Sequence, residues 1–297
     1  MRSARCKSKA HSAVADARLR LRSALFTPGT EAARLRKAIT VGADVCIFDL
    51  EDSVPPDRIV EARRTVRVAL EEVTGKARIW VRVHAASSPH LAEDLAAMPL
   101  SKADGVMLPK VGGAADLTAC RRAIAATKGP PDLPLIPIIE SAAGVLNATE
   151  IGHFPGVLCF AFGRFDFAAD LGVDPDISSP TLMAARAAVV LNSRAGDLYP
   201  PLDSPWTKIK DLDGLREAAQ RGRVDGFGGM LIIHPSHIEI VNQIFSPTAE
   251  EIAWARGIAA SAERATSDGR GAYAKDGEMV DEAIIRRARA ILEHASD

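Results

Sequence analysis

The 297-residue chain is poor in aromatic residues and has almost no excess of charge of either sign. Aromatic side chains make up 5% of the residues, and the formal net charge is −1. Nucleic acids are usually bound by basic surfaces, often with aromatic side chains that stack on bases, so both scarcities predict that no nucleic acid is bound. No apolar run reaches the roughly 18 residues of a membrane-spanning helix. We therefore expect no membrane partner either.

Cysteine is also scarce, and no two of the four cysteines have CxxC spacing. Cys46 and Cys159 lie in apolar runs that are typical of buried strands. This pattern predicts free packing thiols in a reducing cytoplasm, without disulfides or a cysteine zinc site.

The start of the chain is basic: its first 22 residues include seven Arg or Lys and a single acid, Asp16. We interpret residues 1–20 as a disordered tail and expect the protein to be cytoplasmic. An acid-poor start that carries arginine and serine is also typical of a mitochondrial transit peptide, which would direct the protein to the mitochondrial matrix.

Apolar residues are plentiful, at 47%, and they occur as short runs separated by amphipathic segments. Eight runs read as strands whose starts are about 21 to 41 residues apart, the spacing of βα units. The runs are apolar throughout rather than alternating, as strands buried on both faces require. The predicted fold is α/β, a (β/α)8 TIM barrel, with an open doubly wound sheet as the alternative. The predicted strands are residues 22–28, 43–52, 77–84, 105–110, 133–140, 157–166, 198–203 and 229–235.

Three regions follow from this pattern. Residues 1–20 form the tail, residues 21–245 the barrel, and residues 246–297 a C-terminal helical extension. The extension contains two helical segments joined by a Gly-rich, charged stretch, residues 267–281. We expect the extension to pack on another part of the structure or on a neighbouring subunit.

Two carboxylates end two of the predicted strands, Glu140 and Asp166. Burying a carboxylate alone costs several kcal/mol, so each needs a cation or hydrogen-bond donors. The carboxyl ends of barrel strands meet at one rim, where the two acids could share a Mg²⁺ ion with water and substrate oxygens. Mn²⁺ is the alternative ion. The alternative reading is structural, with each acid paired to an arginine.

Other charged residues are predicted at the same rim. Asp49, Glu51 and Asp52 follow the second strand, where they could hold metal-bound waters or Arg82, or simply cap a helix. Arg82 alternates with apolar residues in the third strand, so its side chain should point into the barrel. A planar guanidinium there suits a substrate carboxylate or an enolate oxygen, although a structural ion pair is also compatible.

Weaker signals come from single residues and short segments. Arg34, Arg36 and Lys37 follow the first strand in a helix that could bind a phosphate group or could be an ordinary solvated face. Lys110 ends a strand and is therefore a candidate Schiff-base lysine. His234 could be a core residue or a functional one.

Several segments together resemble the citrate lyase β-subunit-like branch of the HpcH/HpaI aldolase family. The resemblance covers residues 20–295. The matching segments are RSALFTPG (22–29), DLEDSVPP (49–56), VRV (81–83), LPK (108–110), IES (139–141), FGRFDFAADLG (162–172), DGFGGMLIIHP (225–235) and DGEMVD (276–281).

The resemblance implies a trimeric or hexameric TIM barrel that binds Mg²⁺ and cleaves or forms C–C bonds of acyl thioesters. It implies that Glu140 and Asp166 are the metal ligands and that Arg82 binds the substrate. It also implies that a partner subunit supplies Asp281 to complete the active site, so that residues 267–281 form an active-site loop. By the same resemblance, the nucleotide end of coenzyme A would contact Lys37, with Arg22 and Phe26 lining the approach.

This sequence departs from the family pattern at two positions near the rim. His84 stands where Asn usually follows the VRV segment, and Met230 stands where the pattern has Lys. The expected function is a Mg²⁺-dependent carbon–carbon lyase acting on a thioester such as citramalyl-, malyl- or citryl-CoA. The alternatives are a malyl-CoA thioesterase, an aldolase that uses free pyruvate-like acids, and a non-catalytic acyl-CoA-binding subunit.

Overall fold

The computed structural model describes residues 19–73, 78–175, 179–267, 273–275 and 278–295. Nearly all of the predicted tail, residues 1–20, lies outside these ranges. Contacts divide the chain into two compact units, one built from residues 20–245 and one that includes residues 246–297.

The first unit is a closed barrel of eight parallel strands. They are β1 (Ser23–Pro28), β2 (Val45–Asp49), β3 (Arg78–Arg82), β4 (Gly105–Leu108), β5 (Leu135–Ile139), β6 (Ala161–Phe162), β7 (Leu202–Asp203) and β8 (Gly229–Ile232). Each strand pairs with the next along the chain, and β8 pairs with β1. The predicted TIM barrel is confirmed, and the closed ring excludes an open doubly wound sheet.

Burial explains why the strands read as continuous apolar runs. Every residue of β2, β4 and β5 is buried, because one face fills the barrel and the other packs under helices. The covering helices are α1 (Ala32–Ala38), α2 (Ile59–Glu72), α3 (Leu91–Ala97), α4 (Ala114–Ala126), α5 (Ala142–Leu146), α6 (Ala148–Gly152), α7 (Arg164–Leu171), α8 (Pro180–Ala195), α9 (Leu212–Asp225) and α10 (Ile238–Ile244).

The sixth strand differs from its prediction, and the difference matters for the site. Only Ala161–Phe162 is strand, with an isolated bridge between Val157 and Leu135. Helix α7 begins at Arg164, buries Phe167 and Ala168 on one face, and ends at Gly172 with a left-handed φ of 68°. Asp166 therefore lies in the first turn of a helix, and its prediction as the last residue of a strand is wrong.

The second unit is a helical pair with a small hairpin. Its elements are α11 (Ala249–Ser267), the antiparallel strands β9 (Tyr273–Lys275) and β10 (Glu278–Val280), and α12 (Glu282–Ala295). Its core contains Ile258 from α11 and Ile285 from α12. The hairpin occupies the described part of the predicted loop 267–281, of which residues 268–272 and 276–277 lie outside the described residues.

The thiols agree with the prediction in the part of the chain that is described. Cys46, Cys120 and Cys159 are buried and free. Burial raises the pKa of the Cys46 and Cys120 thiols to about 12, which makes them poor nucleophiles. None of the described helices has both the length and the apolar character that a membrane span requires.

Candidate active site

A cavity of about 300 Å³ opens at the carboxyl ends of the strands. Glu140 directly follows β5, and Asp166 reaches the same cavity from the first turn of α7. Most of the residues predicted for the site line this cavity together. Its polar lining consists of Asp49, Asp52, Ser53, Arg82, Glu140 and Asp166, and its apolar lining includes Phe26, Ile138, Phe165, Leu231 and Ile233.

Glu140 is a buried carboxylate without a counter-ion. Only 6% of the residue is exposed, and its Oε1 atom accepts one hydrogen bond, from the Lys110 backbone N–H at 2.6 Å. Burial and the neighbouring Asp166 charge raise the pKa of Glu140 to about 8. Within the described residues, neither Glu140 nor Asp166 forms a salt bridge, so no described cation lies within salt-bridge distance of this pair.

Space beside the Glu140 carboxylate depends on Gly163, which lies between β6 and α7. A Cβ atom at this glycine would lie 2.6 Å from the Glu140 Cβ atom and would overlap the carboxylate oxygen Oε2. Gly163 is a site residue that sequence reasoning missed. Its signal was its place in the GRFD segment, directly between the strand and Asp166.

The acid pair fits a hard divalent cation. No group of three or more His, Cys, Asp or Glu side chains among the described residues is arranged as a metal site. Two carboxylates at an open cavity match Mg²⁺, which usually takes one or two protein carboxylates and keeps several waters. Glu140 and Asp166 are the residues that could hold it, since a bound cation would offset the burial cost that raises the Glu140 pKa.

Arg82, in contrast to Glu140, has several counter-ions, because three carboxylates surround its guanidinium group. Its Nε and Nη2 atoms donate to the two Asp49 oxygens at 2.6 Å each. Its Nη1 atom lies 3.1 Å from Glu51 Oε2 and 3.2 Å from Asp52 Oδ2. The guanidinium also stacks on Phe26, with 4.6 Å between Cζ and the ring centroid. Of the predicted roles for the three acids, holding Arg82 is the one that these contacts match.

Charge pairing sets the ionisation of this cluster. Burial opposes ionisation of Asp49, but the Arg82 charge and hydrogen bonds outweigh it and lower the Asp49 pKa. Burial likewise works against the Arg82 cation, and the three acids overcome it and raise the Arg82 pKa. Both groups therefore stay charged as a buried pair, and Asp52, with 52% of its side chain exposed, is the most accessible partner of Arg82.

Lys110 connects the two groups of acids. Its ammonium lies 2.5 Å from Glu51 Oε1 and 3.6 Å from Asp52 Oδ1. Burial opposes the charge, but the hydrogen bond to Glu51 and the nearby acids raise the Lys110 pKa. A Schiff-base lysine needs a lowered pKa, so these contacts do not favour that role.

Two of the predicted substrate-binding residues, Arg22 and Lys37, do not line this cavity. Arg22 precedes β1 and binds Asp44 through Nε at 2.8 Å and Nη2 at 2.7 Å. It therefore lies at the amino end of the strand, opposite to the rim that carries Glu140, and its expected position on the substrate approach is corrected. Lys37 is exposed in the last turn of α1, and Asp281 belongs to the second unit.

Local roles are visible for Asp281 and His234. The Asp281 Oδ1 atom accepts a hydrogen bond from the Ile284 N–H at 3.0 Å and so caps α12. His234 is exposed, and its Nδ1 atom accepts from the Ser236 N–H at 3.2 Å, which excludes a core role. The family Asn position, His84, pairs through Nδ1 with the fully buried Asp94 at 2.6 Å.

Comparisons with known proteins point to one family. The model described as HpcH/HpaI aldolase/citrate lyase matches residues 22–235. A (3S)-malyl-CoA thioesterase of Cereibacter sphaeroides is 37% identical over 92% of this chain and 94% of its own length. An L-malyl-CoA/beta-methylmalyl-CoA lyase of Rhodobacter capsulatus is 34% identical over 95% of this chain and 96% of its own length.

A solved structure extends the likeness to three dimensions. The CitE protein of Mycobacterium tuberculosis, crystallised with magnesium, acetoacetate and coenzyme A, superposes with a TM-score of 0.76. It is 29% identical, and the match covers 93% of this chain and 98% of that one. The chain described here therefore belongs to the HpcH/HpaI aldolase/citrate lyase family.

Proposed function

We propose that this protein is a Mg²⁺-dependent carbon–carbon lyase that cleaves a 3-hydroxyacyl-CoA thioester of the malyl-, citramalyl- or citryl-CoA class. One observation carries the proposal. Glu140 is buried beside Asp166 at the mouth of the barrel, and the described residues supply no cation to either acid. Mg²⁺ held by these two acids would compensate that charge.

The relatives support the same class of substrate. Two of them are named for malyl-CoA substrates, and CitE was crystallised with magnesium and coenzyme A. In this chain, the 300 Å³ cavity joins the acid pair to Arg82 and to apolar walls, as a small acyl group with a carboxylate end requires.

Mg²⁺ held by Glu140 and Asp166 would supply Lewis acidity toward the carboxylate and the adjacent hydroxyl oxygen of the substrate. In cleavage, a base takes the proton of the hydroxyl group, and the carbon that carries this group becomes a carbonyl. The C–C bond to the thioester α-carbon breaks, and its electron pair forms the thioester enolate, which then takes up a proton.

Arg82 is the residue of the chain that stabilises the enolate oxygen. Its Nε and Nη2 atoms stay on Asp49, which fixes the plane of the guanidinium. Its Nη1 atom faces the substrate when the exposed Asp52 yields its place. Such a preorganised charge contributes most where water is excluded, and the packing of Arg82 on Phe26 excludes water from one face.

Two further parts of the proposal rest on the family resemblance. Asp281 of a neighbouring subunit exchanges the proton with the enolate carbon, in a homotrimer or hexamer. Lys37 of α1 contacts the nucleotide end of coenzyme A. If Lys37→Ala leaves the KM for the thioester unchanged, the coenzyme A contact is wrong, and a free 2-oxo acid substrate is favoured.

A thioesterase is the second candidate, because the 37% identical relative carries that name. The same site would hydrolyse the thioester if water attacked the thioester carbonyl in place of C–C cleavage. The experiment is a panel of malyl-, citramalyl- and citryl-CoA with Mg²⁺, in which carbonyl product and free thiol are followed together. Carbonyl product without free thiol supports the lyase, and free thiol without carbonyl product supports the thioesterase. Tight binding without either product would contradict both and leave a binding subunit.

A further inference from the structure

The residue that connects the two acid groups, Lys110, has an unusual backbone. Its φ is +55°, a left-handed conformation that residues other than glycine rarely adopt and that costs roughly 1 kcal/mol or more. Two contacts hold it there. Its N–H binds the Glu140 carboxylate, and its ammonium binds Glu51.

The Lys110 ammonium changes the net charge of the cluster. When all five groups are ionised, Asp49, Glu51 and Asp52 carry three negative charges and Arg82 and Lys110 two positive ones, which gives the cluster a net charge of −1. Without Lys110 the net charge would be −2 beside a cavity that has to accept an anion.

Arg82 and Lys110 also share the same two carboxylates. Glu51 and Asp52 each lie within 4 Å of both cations. An anion that approaches Arg82 must displace one of them, and Asp52 is half exposed whereas Glu51 is buried. Lys110 is the cation that keeps Glu51 compensated during that exchange.

We propose that Lys110 is a positioning residue that keeps Glu51 and Asp52 compensated, so that Arg82 can exchange Asp52 for an anionic substrate. This inference rests on the proposed function. It predicts opposite effects on two affinities. Removal of the Lys110 cation weakens the binding of an anion and does not weaken the binding of Mg²⁺.

The test is calorimetry on Lys110→Met, with Mg²⁺ titrated first and pyruvate, as a small anionic 2-oxo acid, titrated into the Mg²⁺-saturated protein. We expect the Kd for pyruvate to rise about tenfold while the Kd for Mg²⁺ stays the same or falls. Lys110→Arg should restore pyruvate binding, and Glu51→Gln should restore it in the Lys110→Met background by removing the uncompensated charge. Lys110→Gln is measured in parallel, so that the result does not depend on the folding of one variant.

Lys128 provides a matched control, because it is an exposed lysine with a φ of +60° outside the site. Lys128→Met should change neither affinity. If Lys110→Met weakens Mg²⁺ and pyruvate alike, or weakens neither, the inference is wrong. If the unsubstituted protein binds no Mg²⁺, it is the proposed function that fails.

Discussion

Two acid groups on the same rim of the barrel are compensated in different ways. At the ends of β2 and β3, Asp49, Glu51 and Asp52 surround Arg82 and Lys110, and the cluster is held together by the protein's own charges. At the end of β5 and in the first turn of α7, Glu140 and Asp166 have no salt-bridge partner among the residues that the structure describes. The contrast is that one group of acids has counter-charges from the protein, whereas the other has no salt-bridge partner among the described residues.

The largest expected effect is on activity at the uncompensated pair. Glu140→Gln and Asp166→Asn should each lower kcat/KM for the preferred thioester by roughly 10³-fold or more, since a lost Lewis acid costs several kcal/mol of transition-state stabilisation. Steady-state kinetics at saturating Mg²⁺ measure the loss. Glu150→Gln, an exposed substitution on α6, is the control. If both site variants retained most of the activity, Glu140 and Asp166 would not hold a metal ion that the reaction needs.

The compensated cluster should respond in stability. Arg82→Met leaves Asp49 buried and unpaired, which should lower the free energy of unfolding at pH 7 by roughly 3–5 kcal/mol. Because Arg82 lowers the Asp49 pKa, its contribution is present at neutral pH and is lost as the pH falls and Asp49 is protonated. Denaturant unfolding at pH 7 and at a pH well below 3.8, the ordinary pKa of Asp, should show a smaller difference at the lower pH. Arg36→Met, which breaks the exposed pair with Glu72, should have little effect at either pH.

The uncompensated pair should show the opposite dependence on pH. The Glu140 pKa rises from 4.5 to about 8 on folding, so the metal-free protein loses stability as the pH rises through this range. Without metal, Glu140→Gln should therefore be more stable than the parent by about 1–3 kcal/mol at pH 8 and nearly equal to it at pH 5. Saturating Mg²⁺ should stabilise the parent and not the variant. A difference that stays the same at both pH values would contradict the account of Glu140.

The smallest of these effects concerns room beside Glu140. Gly163→Ala places a methyl group against the Glu140 side chain, so we expect a loss of about 1–2 kcal/mol in stability and weaker Mg²⁺ binding. Gly112→Ala is the control, because the nearest atom to an added Cβ there is 3.7 Å away. Thermal unfolding and Mg²⁺ calorimetry on both variants separate the two positions. Equal behaviour of the two would show that the space at Gly163 is not needed.

The sequence predicted the barrel because buried parallel strands appear as continuous apolar runs at regular spacing. This pattern can be recognised even when the exact ends of the strands are predicted wrongly. It also predicted that Glu140, Asp166 and Arg82 would meet, because strand ends share one rim. The position of Asp166 could not be read from composition alone, since an apolar run that passes from strand to helix at Gly163 looks continuous in sequence.

The contacts of individual site residues depend on which side chains meet in the folded structure, and the sequence does not show this. Arg82 could have faced any of several acids, and its bidentate contact with Asp49 follows from the register of β2 and β3. The error at Arg22 had a simpler cause, because a residue that precedes a parallel strand lies at the end opposite to the site. The roles of Lys37 and Asp281 stay predictions.

The most direct test of the central claim is the anomalous difference map of crystals soaked with Mn²⁺, which replaces Mg²⁺ at oxygen ligands and scatters anomalously. The account predicts one strong peak within coordination distance of carboxylate oxygens from both Glu140 and Asp166, and none at the Arg82 cluster. A map with no peak between the two acids, or with an arginine or lysine side chain filling that space, would contradict it.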